Sequence, residues 1–370
     1  MPENPWYALT DSSKVNSPSL LVYPERIEEN IRSMVAISGS VSNLRPHIKT
    51  HKMAEIVQMQ QRHGIQKFKC ATIAEAELLG QCGASDILLA MQPVGANIGR
   101  FFKLVHAFPK SHFSTLVDNE TTLSQIAQKA AEVNKIAALY LDINSGMNRT
   151  GCIPNEQAVS LYSSMENNPN IHAQGFHVYD GHIHNSDMQE RTETCNAAFQ
   201  KVLDLKDAIK KNGIIVPDII AGGSPSFPIH GKRTGVDASP GTTLLWDARY
   251  AELFPEMPFI HAAVLLIRII SKPAENILCF DLGHKSVAPE MNFPRVQILG
   301  LENSKQIGQS EEHLVVQTQR AAEFEVGHVF YAIPVHICPT VAKYEEVLTV
   351  SDGAVTDSWK VAARNQKITI

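Results

Sequence analysis

The feature that most limits what this chain can fold into is the alternation of short apolar runs with helical stretches between about residue 20 and residue 245. Arg26 to Ile37 places Ile27, Ile31, Met34 and Val35 on one side, the spacing by which a helix faces a core. Leu44-Arg-Pro-His-Ile-Lys49 follows as a short extended piece, and Lys52 to Arg62 reads as a helix closed by Gly64. Lys67-Phe-Lys-Cys-Ala-Thr72 is the next strand, and Ile73 to Leu79 the next helix, ended by Gly83. Further strands are predicted at 86–90, 113–117, 136–142, 175–179, 218–221 and 236–239, with helices such as 121–133 and 191–211 between most of them. Strands separated by helices pair in parallel through crossover connections. Eight such units over roughly the 250 residues that a (β/α)8 TIM barrel takes predict that fold; a doubly wound open sheet has the same local grammar.

From about residue 258 the texture changes. Runs at 262–270, 277–281, 296–300, 313–318 and 346–350 have little helix between them and read as an antiparallel β domain. Ser19-Leu-Leu-Val-Tyr23 fits that domain as an added strand. The expected division is a barrel over residues 18–257 and a β-rich domain made of 1–17 and 258–370.

Composition narrows the partners. A net charge of −5 without any Lys/Arg tract excludes an electrostatic groove for nucleic acid or an anionic membrane. The longest apolar run, Phe259 to Ile270, contains His261 and Arg268 and is too short to span a bilayer. The N-terminal Met-Pro-Glu-Asn-Pro-Trp lacks the basic flank and apolar stretch of a signal peptide. The six cysteines form no Cys-x-x-Cys pair, so the expectation is a soluble protein of the reducing cytoplasm. Five of them read as small buried apolar residues, Cys338 being the exception.

A barrel builds its site from strand ends and the loops that follow. Those positions hold Lys49, Arg149, His177, Tyr179, the turn Gly222-Gly223-Ser224, and Asp247. Lys49 closes the first extended piece and lies within a stretch, Arg45 to Lys52, crowded with basic groups and imidazoles, His47 and His51 among them. Such a stretch can be a solvated loop, but a lysine among cations is also pushed toward the neutral amine that attacks an aldehyde. Consecutive glycines and a serine let backbone N–H groups approach a phosphate, although Gly-Gly turns are common. Arg149, in the Gly-bounded loop Gly146 to Gly151, offers a fixed cation for an anionic oxygen, or is a surface arginine. His182-x-His184 suits proton transfer better than chelation, because the strand ends near Gly181. His336-x-Cys338, placed on one face of a strand, could hold a divalent ion, with the thiolate favouring zinc. A buried histidine and cysteine is the alternative.

These pieces, in this order, resemble the fold-type III pyridoxal-phosphate enzymes, specifically the D-threonine aldolase and D-serine dehydratase family. The resemblance runs from about Pro18 to Val350 and is most specific at Arg45-Pro-His-x-Lys-Thr-His-Lys52 and Pro334-x-His-x-Cys-Pro339. Gly146-Met-x-Arg-x-Gly151, Gly222-Gly-Ser224, and Pro240-Gly-Thr242 before Asp247 support it. It implies an alanine racemase-like barrel with a C-terminal β domain, working as a homodimer on a D-amino acid. It also implies pyridoxal 5'-phosphate bound as a Schiff base to Lys49, with Arg149 on its phenolic oxygen and Gly222, Gly223 and Ser224 on its phosphate. Tyr179 would lie near the pyridine ring, with His47, His177 and Asp247 completing the cofactor set. His336 and Cys338 would bind an activating metal, Zn or Mn. Two departures matter: Thr243 stands where many relatives have an aromatic residue, and Asn185 where aldolases place a histidine, six residues past the tyrosine. The base is therefore expected at His182 or His184. The expected reaction is retro-aldol cleavage of a D-3-hydroxy amino acid to glycine and an aldehyde. The alternatives are dehydration of D-serine or 3-hydroxyaspartate, racemisation, a cofactor carrier without catalysis, and a metal-dependent barrel hydrolase.

Overall fold

The computed structural model describes residues 5–370, which divide into two compact units. One comprises residues 34–49, 57–241 and 365–370; the other comprises 5–33, 50–56 and 242–364. The first strand, β1 (Ser19–Val22), belongs to the second unit, so the chain enters the barrel later than residue 18.

The first unit is the barrel. Its strands are β2 (Lys67–Cys70), β3 (Asp86–Leu89), β4 (His112–Val117), β5 (Ala137–Asp142), β6 (Ile171–Val178), β7 (Asp218–Ala221) and β8 (Val236–Ala238). They pair in sequence order, all parallel. The eighth position is filled by residues 44–48 without a regular strand. Leu44 bridges Ala238 and His47 bridges Lys69, both in parallel. Arg45 N–H donates to Ala238 O at 2.9 Å and His47 N–H to Pro240 O at 2.8 Å. On the opposite edge Lys69 N–H donates to Pro46 O at 2.9 Å and Ile48 N–H to Lys69 O at 3.0 Å. Pro46 removes one donor, which limits how far the ladder can run here. These bonds link both edges of the seven-stranded sheet.

Inside the ring Leu88, Leu116, Tyr140 and Ile220 form an apolar cluster. Arg45, only 2% exposed, makes a bidentate pair with Asp86 at 2.7 Å and a third bond to Asp237 at 3.2 Å. The basic stretch is therefore not a simple pile of cations. Arg45 is matched by two carboxylates, and burial pushes the fully enclosed His51 imidazole down to about 3, so it is neutral.

The second unit is a nine-stranded sheet containing β1 and eight C-terminal strands. These are β9 (Ala263–Ala274), β10 (Ile277–Phe280), β11 (Val296–Ile298), β12 (Lys305–Gln309), β13 (Leu314–Gln317), β14 (Val329–Pro334), β15 (Glu346–Ser351) and β16 (Ala354–Lys360). All pairings are antiparallel except β1 with β15. Leu21, Tyr23, Val264, Leu266, Tyr331 and Ile333 anchor its core. Residues 263–267 of β9 are all buried, which is why that stretch reads as a continuous apolar run rather than an alternation. No helix among the described residues is long and apolar enough to cross a membrane.

Candidate active site

In the barrel unit, Lys49 follows the closing segment directly, and its N–H donates to His47 Nδ1 at 3.2 Å. Its ammonium lies 5.7 Å from the centre of the Tyr179 ring. Two further cations gather on the same ring: Lys69 Nζ at 5.8 Å and the Arg149 guanidinium at 4.9 Å. Burial pushes the enclosed Lys69 amine down to about 7, and the charge of Lys49 adds to the effect. Lys69 is thus the second amine at this site, a role the basic stretch around Lys49 does not reveal.

Behind these groups, His177 Nδ1 donates to Asp142 Oδ1 at 2.7 Å, and Gln92 donates to Asp142 Oδ2 at 2.8 Å. Burial lowers the His177 imidazole despite this partner, so the ring is neutral and Nε2 is an acceptor. That Nε2 is buried and has no partner among the described residues. A buried polar atom of this kind calls for a ligand or water.

The turn after β7 is not built as the glycines suggest. Gly222 N–H donates to Val178 O at 2.9 Å and Gly223 N–H to Ser226 Oγ at 3.2 Å, so both are taken within the protein. The glycines serve close packing. A Cβ on Gly222 (φ +81°) would meet His230 at 2.7 Å, and one on Gly223 would meet the Tyr179 ring at 3.1 Å. Ser224 Oγ accepts from Gly241 N–H at 3.2 Å, which joins the turn to the loop after β8.

His182 and His184 lie beyond the end of β6 and differ in setting. His182 is half-buried and packs on the Arg149 loop, where a Cβ on Gly146 would come within 2.7 Å of its Nε2. Its Nδ1 is buried without a partner among the described residues. His184 is exposed, with the buried Ile183 between the two.

A buried group escaped the sequence reading altogether. Asp180, Cys195 and His230 converge although 15 and 35 residues separate neighbours in the chain. Cys195 therefore is not simply a small apolar filler: its Sγ lies 3.3 Å from His230 Nε2.

In the second unit, His336 and Cys338 do come together, but not on a strand. Strand β14 ends at Pro334, and a helix, Ile337–Val341, begins after His336. Pro339 is tolerated in its first turn, where no intrahelical donor is needed. Cys338 Sγ lies 3.1 Å from Thr50 Oγ1 and 3.5 Å from Thr242 Oγ1. His336 Nδ1 bonds Glu290, and burial, which would lower the imidazole, is outweighed by Cys338 and then Glu290, raising it to about 9. Asp247, expected at the cofactor, instead caps backbone: it accepts from Tyr250 N–H at 3.0 Å and Ile337 N–H at 3.2 Å.

Part of this set has the chemistry that pyridoxal phosphate and a metal would need. Three cations around one aromatic ring, an unpaired buried imidazole nitrogen and a tight glycine turn suit a flat anionic ring carrying a phosphate. An imidazole and a thiol amid hydroxyls form a nitrogen–sulfur donor set suited to zinc.

Comparison with known proteins agrees in fold and family. A family model described as alanine racemase, N-terminal domain, matches residues 22–243, and a serine dehydratase domain model matches residues 262–350. The D-threonine aldolase of Arthrobacter sp is 27% identical over 95% of this chain and 93% of its own length. The D-serine dehydratase of Dictyostelium discoideum is 24% identical over 95% and 97%, respectively. The crystal structure of D-threonine aldolase from Filomicrobium marinum superimposes with a TM-score of 0.87 at 22% identity, covering 95% of each chain. With the model covering well over half of its length, the chain belongs to the alanine racemase N-terminal domain family.

Proposed function

We propose that this chain is a pyridoxal-phosphate- and metal-dependent lyase that cleaves D-3-hydroxy amino acids, of the D-threonine aldolase kind, working as a homodimer in the cytoplasm. The observation that carries this reading is the gathering of Lys49, Lys69 and Arg149 on the Tyr179 ring beside the unpaired Nε2 of His177. Bound there, the cofactor would supply an electron sink for the bond broken at Cα.

The chain's own residues would do the rest. Lys49 would hold the cofactor's carbonyl carbon through its amine, with His47 fixing the backbone beside it. Arg149 would pair with the phenolic oxygen, Tyr179 would pack on the ring, and the Gly222–Ser224 turn, with no side chains at its two glycines, would let the phosphate lie close against the backbone. His177, held by Asp142, would accept a hydrogen bond at Nε2. His182, half-buried on the Arg149 loop, would take the proton from the substrate's β-hydroxyl oxygen as the Cα–Cβ bond opens. His184, exposed, suits that task less. His336 and Cys338 would hold a divalent ion, zinc or manganese, which would supply Lewis acidity. Asp247 would act indirectly, holding Ile337 and with it the start of the metal-binding turn.

A second reading, dehydration of D-serine or 3-hydroxyaspartate, is favoured by the thiol at position 338, since a soft ligand points to zinc. Lys49 would then take the Cα proton and hydroxide would leave. Incubating the protein with pyridoxal phosphate and Zn²⁺ or Mn²⁺ separates the two on D-threonine, D-serine and D-3-hydroxyaspartate. Glycine plus an aldehyde identifies the aldolase, and ammonia plus an oxo acid the dehydratase. Racemised substrate without cleavage would overturn both.

A further inference from the structure

The buried cluster of Asp180, Cys195, Ser226 and His230 has no part in the chemistry above, yet it adjoins the proposed cofactor seat at the Gly222–Gly223 turn. Asp180 follows Tyr179 in the chain, and Ser226 lies two residues beyond Ser224. All four side chains are buried. Asp180 Oδ1 accepts from the Ser226 hydroxyl at 2.7 Å, and Oδ2 bonds His230 Nε2 at 2.8 Å. Ser226 Oγ then accepts Gly223 N–H at 3.2 Å.

The charges support one another. Burial opposes ionisation of Asp180, but His230 and Ser226 hold its carboxyl below the usual range. Burial likewise opposes charge on His230, and Asp180 with Cys195 raises it to about 9. Each partner thus favours the charged form of the other, and charge-assisted bonds of this kind are shorter and stronger than neutral ones.

The turn has no slack between its neighbours. On one side a Cβ at Gly222 would meet His230 at 2.7 Å and Ser226 Oγ at 2.9 Å; on the other a Cβ at Gly223 would meet Tyr179 at 3.1 Å. A displacement of Asp180 or His230 must therefore move the turn.

We propose that Asp180, Ser226 and His230 form a charge-assisted brace that positions the Gly222–Ser224 turn as the seat for the cofactor's phosphate, an inference that rests on the pyridoxal-phosphate reading above. The competing account is a structural zinc ion on Oδ2, Sγ and Nε2. It fits less well. The three atoms already bond one another, and no fourth His, Cys, Asp or Glu donor joins them among the described residues, whereas a buried structural zinc takes four.

The brace acts on the phosphate and not on the aldehyde, so its test compares pyridoxal 5'-phosphate with pyridoxal. Dissociation constants for both are measured on the full apo chain by titrating the visible absorbance that each acquires on reaction with Lys49. Asp180→Asn is expected to weaken pyridoxal phosphate by about tenfold, the size of a lost charge-assisted bond, while pyridoxal changes less than about twofold. Ser226→Ala, the smaller excision if Asp180→Asn does not fold, is expected to weaken only the phosphorylated ligand, by about threefold. His230→Gln, which keeps a nitrogen donor facing Asp180, is expected to recover part of the phosphate preference relative to His230→Ala. Equal weakening of both ligands, or no change in either, overturns the brace. So does one equivalent of zinc that persists in a His336→Ala, Cys338→Ser double variant and disappears with Asp180→Asn. If the unaltered chain acquires no visible absorbance with either ligand, the cofactor reading itself falls and the brace with it.

Discussion

In the barrel unit the polar side chains are held by carboxylates: Arg45 by Asp86 and Asp237, the neutral His177 by Asp142, and His230 by Asp180. In the β unit, His336 and Cys338 stand at the start of a five-residue helix, and the His336 side chain is 40% exposed. One site is thus fixed by hydrogen bonds to carboxylates with little freedom, as a covalently held cofactor would need. The other presents two donors on a short, half-solvated turn, which suits an ion whose remaining positions water or substrate must fill. The same chain builds a rigid seat and an adjustable clasp, and the difference follows from burial.

Variants can break this contrast or sharpen it. Lys49→Ala is expected to abolish the visible cofactor absorbance and to lower turnover by about a thousandfold or more, whereas Lys52→Ala keeps the absorbance. A retained band in Lys49→Ala would move the cofactor lysine elsewhere, with Lys69 the first candidate. Arg45→Met leaves Asp86 and Asp237 without their shared partner at the barrel's interior, and denaturant unfolding should show a loss of about 3–5 kcal/mol. A loss below about 1 kcal/mol would mean that these pairs do not make the barrel rigid. Cys338→Ala or His336→Ala should release the metal in elemental analysis and lower turnover by about a hundredfold, with the cofactor absorbance intact. Turnover unchanged after complete chelation would remove the metal from the reaction.

A further effect is one of pH. His51 is held neutral in the fold, with its imidazole pushed down to about 3, while in the unfolded chain it titrates near its ordinary value of 6.5. Between those values the unfolded chain binds more protons, so acidification favours unfolding by up to about 1.4 kcal/mol per pH unit. Stability should therefore be complete above pH 6.5 and fall as pH drops toward 3. His51→Asn should flatten that limb in a series of denaturation curves, and an unchanged slope would assign it to the carboxylates instead.

Much of this was legible along the chain because its periodicities are local. The apolar runs at 86–90 and 136–142 have helices on either side, and only parallel strands satisfy that arrangement. The position of Lys49 after an extended segment was legible, and so was the closeness of His336 to Cys338. What failed to show depends on distance in sequence. Arg45 meets carboxylates 41 and 192 residues away, and Asp180 meets His230 50 residues away, so no spacing rule links them. Lys69 reads as one residue of an ordinary strand, and only closure of the ring reveals that it is enclosed. The local shape around Cys338 was misjudged because an i, i+2 pair fits a strand as well as the first turn of a helix, and the carboxylate that caps that turn, Asp247, lies 90 residues upstream.

The ring's eighth position has a consequence for how the protein is kept intact. Residues 44–48 close the seam with a few backbone bonds and pass directly into Lys49. A molecule covalently attached to that lysine is therefore tethered to the seam itself, and whatever opens the seam must also displace the tethered ligand. By mass action, ligand attachment then slows opening there more than elsewhere. Amide hydrogen exchange at Arg45, Ile48 and Lys69 should thus report cofactor occupancy as directly as colour does, and the cofactor would double as the pin in the barrel's own hinge.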